Sequence, residues 1–192
     1  TVWPGDDEMA VGRSLSIRDG DDANVSVIAM GVHSGTHMDA PLHYLDGEED
    51  IAAIETDRLF GEVLVMDAPG SMIDEPLLRG IPLENINAVF FKTFCSDREE
   101  TAPFSDSYPA LTESCARFLI ENGIRTVGTD CFSVDPFSDE KSPVHRYLLS
   151  HKAAIIENLC LKGIKTGVYS YVCLPLKIKG ADGSPCRALL FR

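Results

Sequence analysis

Apolar and polar positions along this chain change over short distances, as they do in strands connected by turns. Alternating or continuous apolar segments, bounded by Gly, Pro, Asp and Asn, predict strands. These segments are residues 14–18, 25–30, 61–67, 88–93, 126–130, 153–157 and 167–175. Strands therefore account for most of the regular structure that the sequence predicts.

Helical signals are fewer. Residues 112–122 carry apolar side chains at helical spacing and are followed by Gly123, which favours a helix C-cap. The pair Ser142-Pro143 is typical of an N-cap followed by proline at the first helical position, so we expect a helix from about residue 143 to about residue 151. A short helix is also predicted at residues 83–86.

The composition is that of one ordinary globular domain. The chain has 192 residues, of which 44% are hydrophobic and 24% charged, and a domain of this size can bury a sizeable core. Many strands with few helices predict an α/β or α+β fold rather than a pure sandwich. We expect residues 1–192 to form a single domain with a β-rich core.

Charge and hydropathy exclude some functions. The formal net charge is −13, from 30 acidic and 17 basic residues, and such a field repels a phosphate backbone, so no nucleic-acid partner is expected. The apolar runs are far shorter than the roughly 18 residues of a membrane span, and no signal peptide is visible. Because the sequence starts at Thr1 without methionine, that last absence carries little weight. We expect a cytoplasmic protein with a small-molecule partner.

Cysteine spacing argues against a structural zinc knot. The chain has six cysteines, and none forms a C-x-x-C pair. In a chain of this size and composition, free buried thiols in a reducing compartment are expected in preference to three disulfides.

The histidines are clustered. Three of the five lie within residues 33–43. His33, His37 and Asp39 offer two imidazoles and a carboxylate, which is a familiar ligand set for a catalytic divalent ion. Gly35 and Pro41 disfavour a helix here. A strand would place residues 37 and 39 on one side, with a bend at Gly35 bringing His33 round.

Other interpretations of this cluster stay open at this point. Two histidines and one carboxylate also describe the triad of a mononuclear non-haem iron oxygenase. A metal-binding protein without catalytic activity is a further alternative, and so are three unrelated structural histidines. A serine hydrolase is disfavoured because the chain has no G-x-S-x-G segment.

One long segment resembles a known signature. The string His33-Ser-Gly-Thr-His37-Met-Asp39-Ala-Pro-Leu-His43 resembles the H-x-G-T-H-x-D-x-P-x-H signature of the cyclase family of metal-dependent hydrolases, which includes bacterial kynurenine formamidase and isatin hydrolase. Two further segments, Trp3-Pro-Gly-Asp6 and Asp130-Cys-Phe-Ser-Val-Asp135-Pro, also resemble parts of that family. A short strand that usually precedes the tryptophan segment in the family is missing from this sequence.

The resemblance implies roles for individual residues. His33, His37 and Asp39 match the ligands of a first metal ion. Asp39 would bridge to a second ion held by His145 and Glu157. His43 remains outside both ligand sets and matches the catalytic general acid and base, which would move a proton from water to the leaving nitrogen.

The resemblance also implies a fold and an activity. The fold would be an α/β, swivelling β/β/α-type domain, usually in a homodimer. The activity would be hydrolysis of an amide or cyclic amide C–N bond by metal-activated water, with one or two divalent ions per subunit. Zn²⁺ is the expected ion and Mn²⁺ the other candidate, because both accept His and carboxylate ligands.

Two residues have open roles from the sequence alone, and a third is expected to be structural. Trp3, the single tryptophan, either walls an aromatic substrate pocket or covers the core. Asp130 either orients a ligand histidine or serves a turn. His151 is expected to be structural, at the C-terminal end of the predicted helix.

Overall fold

The structure is a computed structural model that describes residues 3–99 and 102–192. The helices are α1 (Glu113–Glu121) and α2 (Pro143–Ser150). The strands, in chain order, are β1 (Ala10–Leu15), β2 (Val25–Ala29), β3 (His37–Asp39), β4 (Phe60–Asp67), β5 (Met72–Ile73), β6 (Ala88–Lys92), β7 (Ala110–Leu111), β8 (Thr126–Thr129), β9 (Ala154–Glu157), β10 (Gly167–Pro175) and β11 (Gly183–Phe191).

A closed barrel of mixed strands forms the centre of the molecule, in the order β10-β11-β3-β9-β8-β6-β4. Strands β4, β6, β8 and β9 pair in parallel, whereas β3, β10 and β11 pair antiparallel. Parallel neighbours need a crossover connection, and the crossovers into β8 and β9 contain α1 and α2. The predicted α/β class with a β-rich core is confirmed.

The parallel strands are buried on both faces. Val63, Val65 and Phe90 point into the barrel, where they pack with Tyr171 and other inward side chains. The residues between them, such as Leu64, pack outward against the helices. A strand covered on both sides needs apolar residues at every position, which explains the continuous apolar runs in the sequence.

Two element predictions were wrong, and one strand was not predicted. The strand expected at residues 14–18 lies at Ala10–Leu15, because Ile17–Asp19 closes into a 3-10 turn. Residues 83–86 form a turn rather than a helix, with Asn85 in the left-handed conformation at φ 64°. Strand β11 was not predicted, since Pro185, Cys186 and Arg187 interrupt its apolar pattern.

Strands β1 and β2 form a separate antiparallel hairpin whose residues are all exposed. The six cysteines are free thiols, as expected, and four of them are buried. None of the described helices is long and apolar enough to cross a membrane.

Candidate metal centre

Strand β3 carries the first candidate ligands on its outward face. Successive side chains of a strand point to opposite sides, so His37 and Asp39 face the helical layer while Met38 lies in the barrel interior. The neighbouring strand β9 places Glu157 directly opposite His37. Three potential ligands are therefore brought together by strand pairing alone.

The turn before β3 orients the His37 ring. Gly35 adopts a left-handed conformation with φ 65°, which glycine reaches without steric cost. The Gly35 carbonyl accepts a hydrogen bond from His37 Nδ1 at 2.8 Å. This leaves His37 Nε2 facing the carboxylates, 3.3 Å from Asp39 Oδ1 and 3.5 Å from Glu157 Oε2.

His33 reaches the same carboxylate from the preceding loop. Its Nδ1 lies 2.9 Å from Asp39 Oδ1. One ligand atom each from His33, His37 and Asp39 lies within 4.8 Å of the others. The bend that the sequence predicted at Gly35 thus brings the three residues to one position that a divalent ion could occupy.

His145 enters from the start of helix α2. Its Nε2 lies 3.1 Å from Glu157 Oε1 and 3.5 Å from Asp39 Oδ2. Asp39 therefore presents one oxygen to His33 and His37 and the other to His145, which is the arrangement that a carboxylate shared between two ions would need.

Asp135, not Ser142, caps this helix. Ser142 occupies the predicted N-cap position before Pro143, but its side chain makes no cap hydrogen bond. The Asp135 carboxylate instead accepts hydrogen bonds from the backbone N–H groups of Val144 and His145, both at 2.9 Å. It also lies 2.6 Å from His145 Nδ1, which turns Nε2 toward the cluster.

The residues fit a cation. Asp39 Oδ2 is fully buried and finds no hydrogen-bond partner among the described residues, a costly state for a carboxylate unless a positive charge is near. Burial alone would raise the pKa of Asp39, yet the nearby imidazoles of His145, His33 and His37 hold it well below its usual range. The site is therefore built around a buried negative charge, and His and carboxylate donors suit Zn²⁺ or Mn²⁺.

His43 lies beside the cluster on the 3-10 turn Pro41–His43. Its ring stacks on His33 with centroids 3.9 Å apart and an interplanar angle of 28°. Burial lowers the pKa of His43, so the ring is neutral near pH 7. One of its nitrogens also lies within 4.8 Å of ligand atoms of Asp39 and His145, close enough to reach a water held there.

A cavity of about 200 Å³ opens onto the cluster. Trp3 and Phe132 line it together with His33, His37, His43 and His145. Trp3 also packs against the rings of Phe104 and Phe137, each with centroids 5.4 Å away. Trp3 therefore lines the cavity and also packs in an aromatic cluster.

Asp130 does not orient a histidine. It accepts hydrogen bonds from the backbone N–H and the hydroxyl of both Thr93 and Ser96, at 2.6–2.9 Å. Among the described residues its partners include no imidazole. The turn role is therefore the one that the geometry supports, and the orienting carboxylate is Asp135, five positions later in the same segment.

Sequence reasoning gave no role to Asp182. Its Oδ2 lies 2.9 Å from His33 Nε2 and 3.1 Å from His43 Nδ1. Asp182 lies between β10 and β11, far along the chain from both histidines, and nothing in its local sequence indicates this contact. His151, by contrast, is exposed and its Nδ1 bonds to the Tyr147 carbonyl at 2.8 Å, as a structural residue would.

Fold and site together define an α/β protein with a buried His and carboxylate cluster beside an aromatic cavity. The sequence profile of the family described as Putative cyclase matches residues 1–136. The chain belongs to this family, and the predicted family is confirmed. The matched part contains the His33–His43 segment but ends before His145 and Glu157.

Named relatives extend the similarity over nearly the whole chain. A kynurenine formamidase of Erythrobacter litoralis strain HTCC2594 is 37% identical, over 98% of this chain and 87% of that protein. A solved structure described as a predicted metal-dependent hydrolase from Bacillus stearothermophilus is 31% identical, with a TM-score of 0.77 over 95% of this chain and 86% of the other.

A more distant structure supports the fold alone. Isatin hydrolase A from Labrenzia aggregata superposes with a TM-score of 0.81 over 99% of this chain and 87% of that chain, at 24% identity. The barrel with its two crossover helices is therefore kept where most of the sequence has changed.

Proposed function

We propose that this chain hydrolyses the N-formyl amide of an aromatic amine, as the name kynurenine formamidase describes for its relative. The enzyme class beneath this proposal is confirmed: the chain is a metal-dependent hydrolase acting on amide C–N bonds, and nothing among the relatives favours the oxygenase alternative. We also propose that residues 1–192 form one domain. A cyclic amide of the isatin type is the second candidate substrate, favoured by the likeness in fold.

The observation that carries the proposal is the buried, unpaired oxygen of Asp39. His145 Nε2 lies 3.5 Å from this oxygen, His33 and His37 face the other oxygen of the same carboxylate, and a cavity opens onto the cluster. We assign His33, His37 and Asp39 to a first ion and Asp39, His145 and Glu157 to a second. Zn²⁺ is the preferred occupant and Mn²⁺ the alternative.

When bound, a divalent ion supplies Lewis acidity, which lowers the pKa of water and polarises a carbonyl oxygen. The chain's own residues orient the substrate and transfer the proton. The cavity directs the scissile amide toward the cluster. His43, neutral and beside the cluster, accepts a proton from water and donates it to the leaving nitrogen.

Aromatic walls support an aryl substrate. Trp3 and Phe132 line the same cavity as the cluster, and aromatic pairs prefer offset or edge-to-face contact. A flat ring held against Trp3 would leave its formamide side chain pointing toward His43 and the candidate metal ligands. Trp3 is therefore our candidate substrate-binding residue.

We also propose a homodimer in which the β1–β2 hairpin is covered. An isolated two-stranded hairpin is marginal in water, and apolar side chains left exposed together mark interaction sites. The exposed apolar residues of this hairpin and its flanks are Met9, Val11, Leu15, Ile17, Val25, Val27 and Ile28. A second copy of the chain is the proposed cover.

Light scattering tests the dimer. Val11→Lys should convert the protein to a monomer, because a charge on the hairpin opposes its burial. Met72→Lys, at an exposed apolar residue of strand β5, is the matched control and should leave the mass unchanged. A monomeric wild-type protein would contradict the proposal.

We further propose a cytoplasmic location, because buried free thiols persist in a reducing compartment.

The function is tested by metal analysis followed by hydrolysis assays. The purified protein should contain zinc or manganese, hydrolyse N-formylkynurenine without oxygen, and lose activity to a chelator. Readdition of either ion should restore the rate. Turnover of isatin but not of the formamide would select the second candidate. Strict dependence on oxygen and ferrous iron would overturn the hydrolase.

A further inference from the structure

One carboxylate oxygen contacts two histidines of the site. Asp182 Oδ2 lies 2.9 Å from His33 Nε2 and 3.1 Å from His43 Nδ1. The Asp182 backbone carbonyl accepts a hydrogen bond from Ala40 N–H at 2.9 Å. Residue 182 is therefore tied to the segment that follows strand β3, and its side chain is held where both rings can reach it.

The chemistry of the two groups fixes where the protons are. An ionised carboxylate only accepts hydrogen bonds, and a neutral imidazole has one donor nitrogen and one acceptor nitrogen. Asp182 Oδ2 lies within hydrogen-bond distance of one nitrogen of each ring, at 2.9 Å from His33 Nε2 and 3.1 Å from His43 Nδ1. Both ring nitrogens that face Asp182 must then carry hydrogen, namely His33 Nε2 and His43 Nδ1.

This assignment leaves the other nitrogen of each ring to face the site. His33 Nδ1 lies 2.9 Å from Asp39 Oδ1, and a metal ion bound there would take the place of the hydrogen that this nitrogen shares with the carboxylate. His43 Nε2 has its lone pair available to take a proton. The two rings are stacked 3.9 Å apart, so a single anchor on one edge of the stack orients both.

Anchoring of the chain does not explain the Asp182 side chain. The connection between β10 and β11 is already held by Asp50, whose Oδ2 accepts a hydrogen bond from Gly180 N–H at 2.6 Å, and by the backbone bond from Ala40. The Asp182 carboxylate adds nothing to these contacts. Within the described part of the chain, this carboxylate bonds to the two histidines.

We propose that Asp182 is a positioning residue that sets the tautomers of His33 and His43 together. Through His33 it raises metal affinity, and through His43 it presents an unprotonated Nε2 for proton transfer. The second half of this statement rests on the proposed function. The first half concerns the metal site alone and stands without any substrate.

Asp182→Asn is the test, because it keeps the shape of the side chain and can turn an N–H donor toward a ring. Asp50→Asn is the matched control, since Asp50 anchors the same connection without contacting a histidine. Zinc affinity of each protein would be measured by competition with a chelator. Two-bond ¹H–¹⁵N spectra of the zinc-loaded proteins would report the tautomer of each imidazole.

We expect Asp182→Asn to weaken zinc binding by roughly 10- to 100-fold, which is the usual effect of losing a partner that orients a ligand. The His43 signals should change from the Nδ1–H to the Nε2–H tautomer. Asp50→Asn should change neither. Unchanged tautomers in Asp182→Asn would overturn the proposal, and so would equal effects of the two variants.

Kinetics separate this proposal from the proposed function. With N-formylkynurenine, Asp182→Asn should lower kcat while KM stays nearly constant, since the change affects proton transfer and not substrate contact. A change in KM without a fall in kcat would overturn the link to His43. If the wild-type protein hydrolyses no amide, the proposed function fails, while the affinity and tautomer measurements still decide the role of Asp182 at the metal site.

Discussion

The Asp135 carboxylate contacts His145 at both its ring and its backbone. Oδ2 accepts a hydrogen bond from the His145 backbone N–H at 2.9 Å and lies 2.6 Å from Nδ1 of the same residue. Oδ1 accepts a hydrogen bond from Val144 N–H at 2.9 Å. One side chain therefore caps helix α2 and orients a candidate metal ligand, so helix stability and metal binding are coupled at this position.

Asp135→Ala should damage both properties. Loss of a helix cap costs about 0.5–2 kcal/mol in the free energy of unfolding, and loss of the partner that orients a ligand histidine weakens metal binding by roughly 10- to 100-fold. Chemical denaturation and zinc titration would measure the two effects. Ser142→Ala is the control, because Ser142 occupies the N-cap position without making a cap bond. A larger loss in Ser142→Ala than in Asp135→Ala would contradict the assignment.

The sequence could predict His33, His37 and Asp39 as a cluster because they are close in sequence and alternate as a strand requires. It could not derive the contact between His145 and Asp39, which depends on how α2 packs on the barrel, so that pairing came only from the resemblance. Asp130 was considered instead of Asp135 because both lie in one short segment. Only the packing decides which carboxylate meets the ring.

Gly183→Ala should displace His33. Gly183 lies opposite Asp39 in the pairing of β11 with β3, and a Cβ atom built on it would lie 2.7 Å from His33 Cε1 and 3.0 Å from the Met38 carbonyl oxygen. The backbone oxygen cannot move easily, so the imidazole must. We expect weaker zinc binding and a loss of about 1–3 kcal/mol in the free energy of unfolding, the usual cost of overpacking.

Gly31→Ala is the control for this substitution. A Cβ at residue 31 would meet only Ser34 Oγ at 3.5 Å, an ordinary contact in the loop that leads to His33. Zinc content after dialysis and the melting temperature would be compared for both variants. Wild-type zinc content and stability in Gly183→Ala would show that the site is wider than the structure indicates.

Metal-free protein should lose stability as pH rises above neutrality. Burial by itself lowers the pKa of His37 and His145, but hydrogen bonds to Asp39 and Glu157, and for His145 also to Asp135, raise both above 6.5. A raised folded-state pKa contributes stability that is complete below the unfolded value of about 6.5 and is lost as pH rises through the folded value. On the acid side, the lowered pKa values of Asp39 and Glu157 give stability that is lost as pH falls.

Bound zinc should reverse the alkaline trend, because metal ligands must be deprotonated and metal affinity therefore increases with pH. Melting temperatures would be recorded from about pH 6 to about pH 9, on both sides of the ordinary histidine value, with and without zinc. The difference between the two curves removes effects of net charge that both forms share. A zinc-induced gain that shrinks as pH rises would contradict the predicted ligand set.

Strand β11 shows why the sequence could not predict the whole site. It lacks the continuous apolar run of the buried parallel strands, because much of it is exposed. The connection before it carries Asp182, which meets His33 and His43 only when the barrel closes β10 and β11 against β3. Closure of the barrel brings distant segments into contact. Such contacts cannot be predicted from a local sequence pattern.

His43→Ala should separate metal binding from catalysis. His43 follows Pro41, whose fixed φ begins the 3-10 turn that carries the ring to the cluster. If His43 acts as acid and base, its removal leaves the ligands His33, His37, Asp39 and His145 in place. Zinc content should then stay nearly intact while kcat for the formamide falls by roughly 10²- to 10⁴-fold, the usual contribution of a positioned acid or base.

The control for this experiment is His151→Ala. His151 is an exposed histidine bonded to the Tyr147 carbonyl, so its loss should change neither zinc content nor rate. Because a His43 nitrogen also lies within 4.8 Å of ligand atoms of Asp39 and His145, close enough for one ion to bind all three, metal analysis of His43→Ala is decisive. Loss of zinc would make His43 a ligand, and an unchanged rate with zinc bound would mean that proton transfer does not pass through this ring.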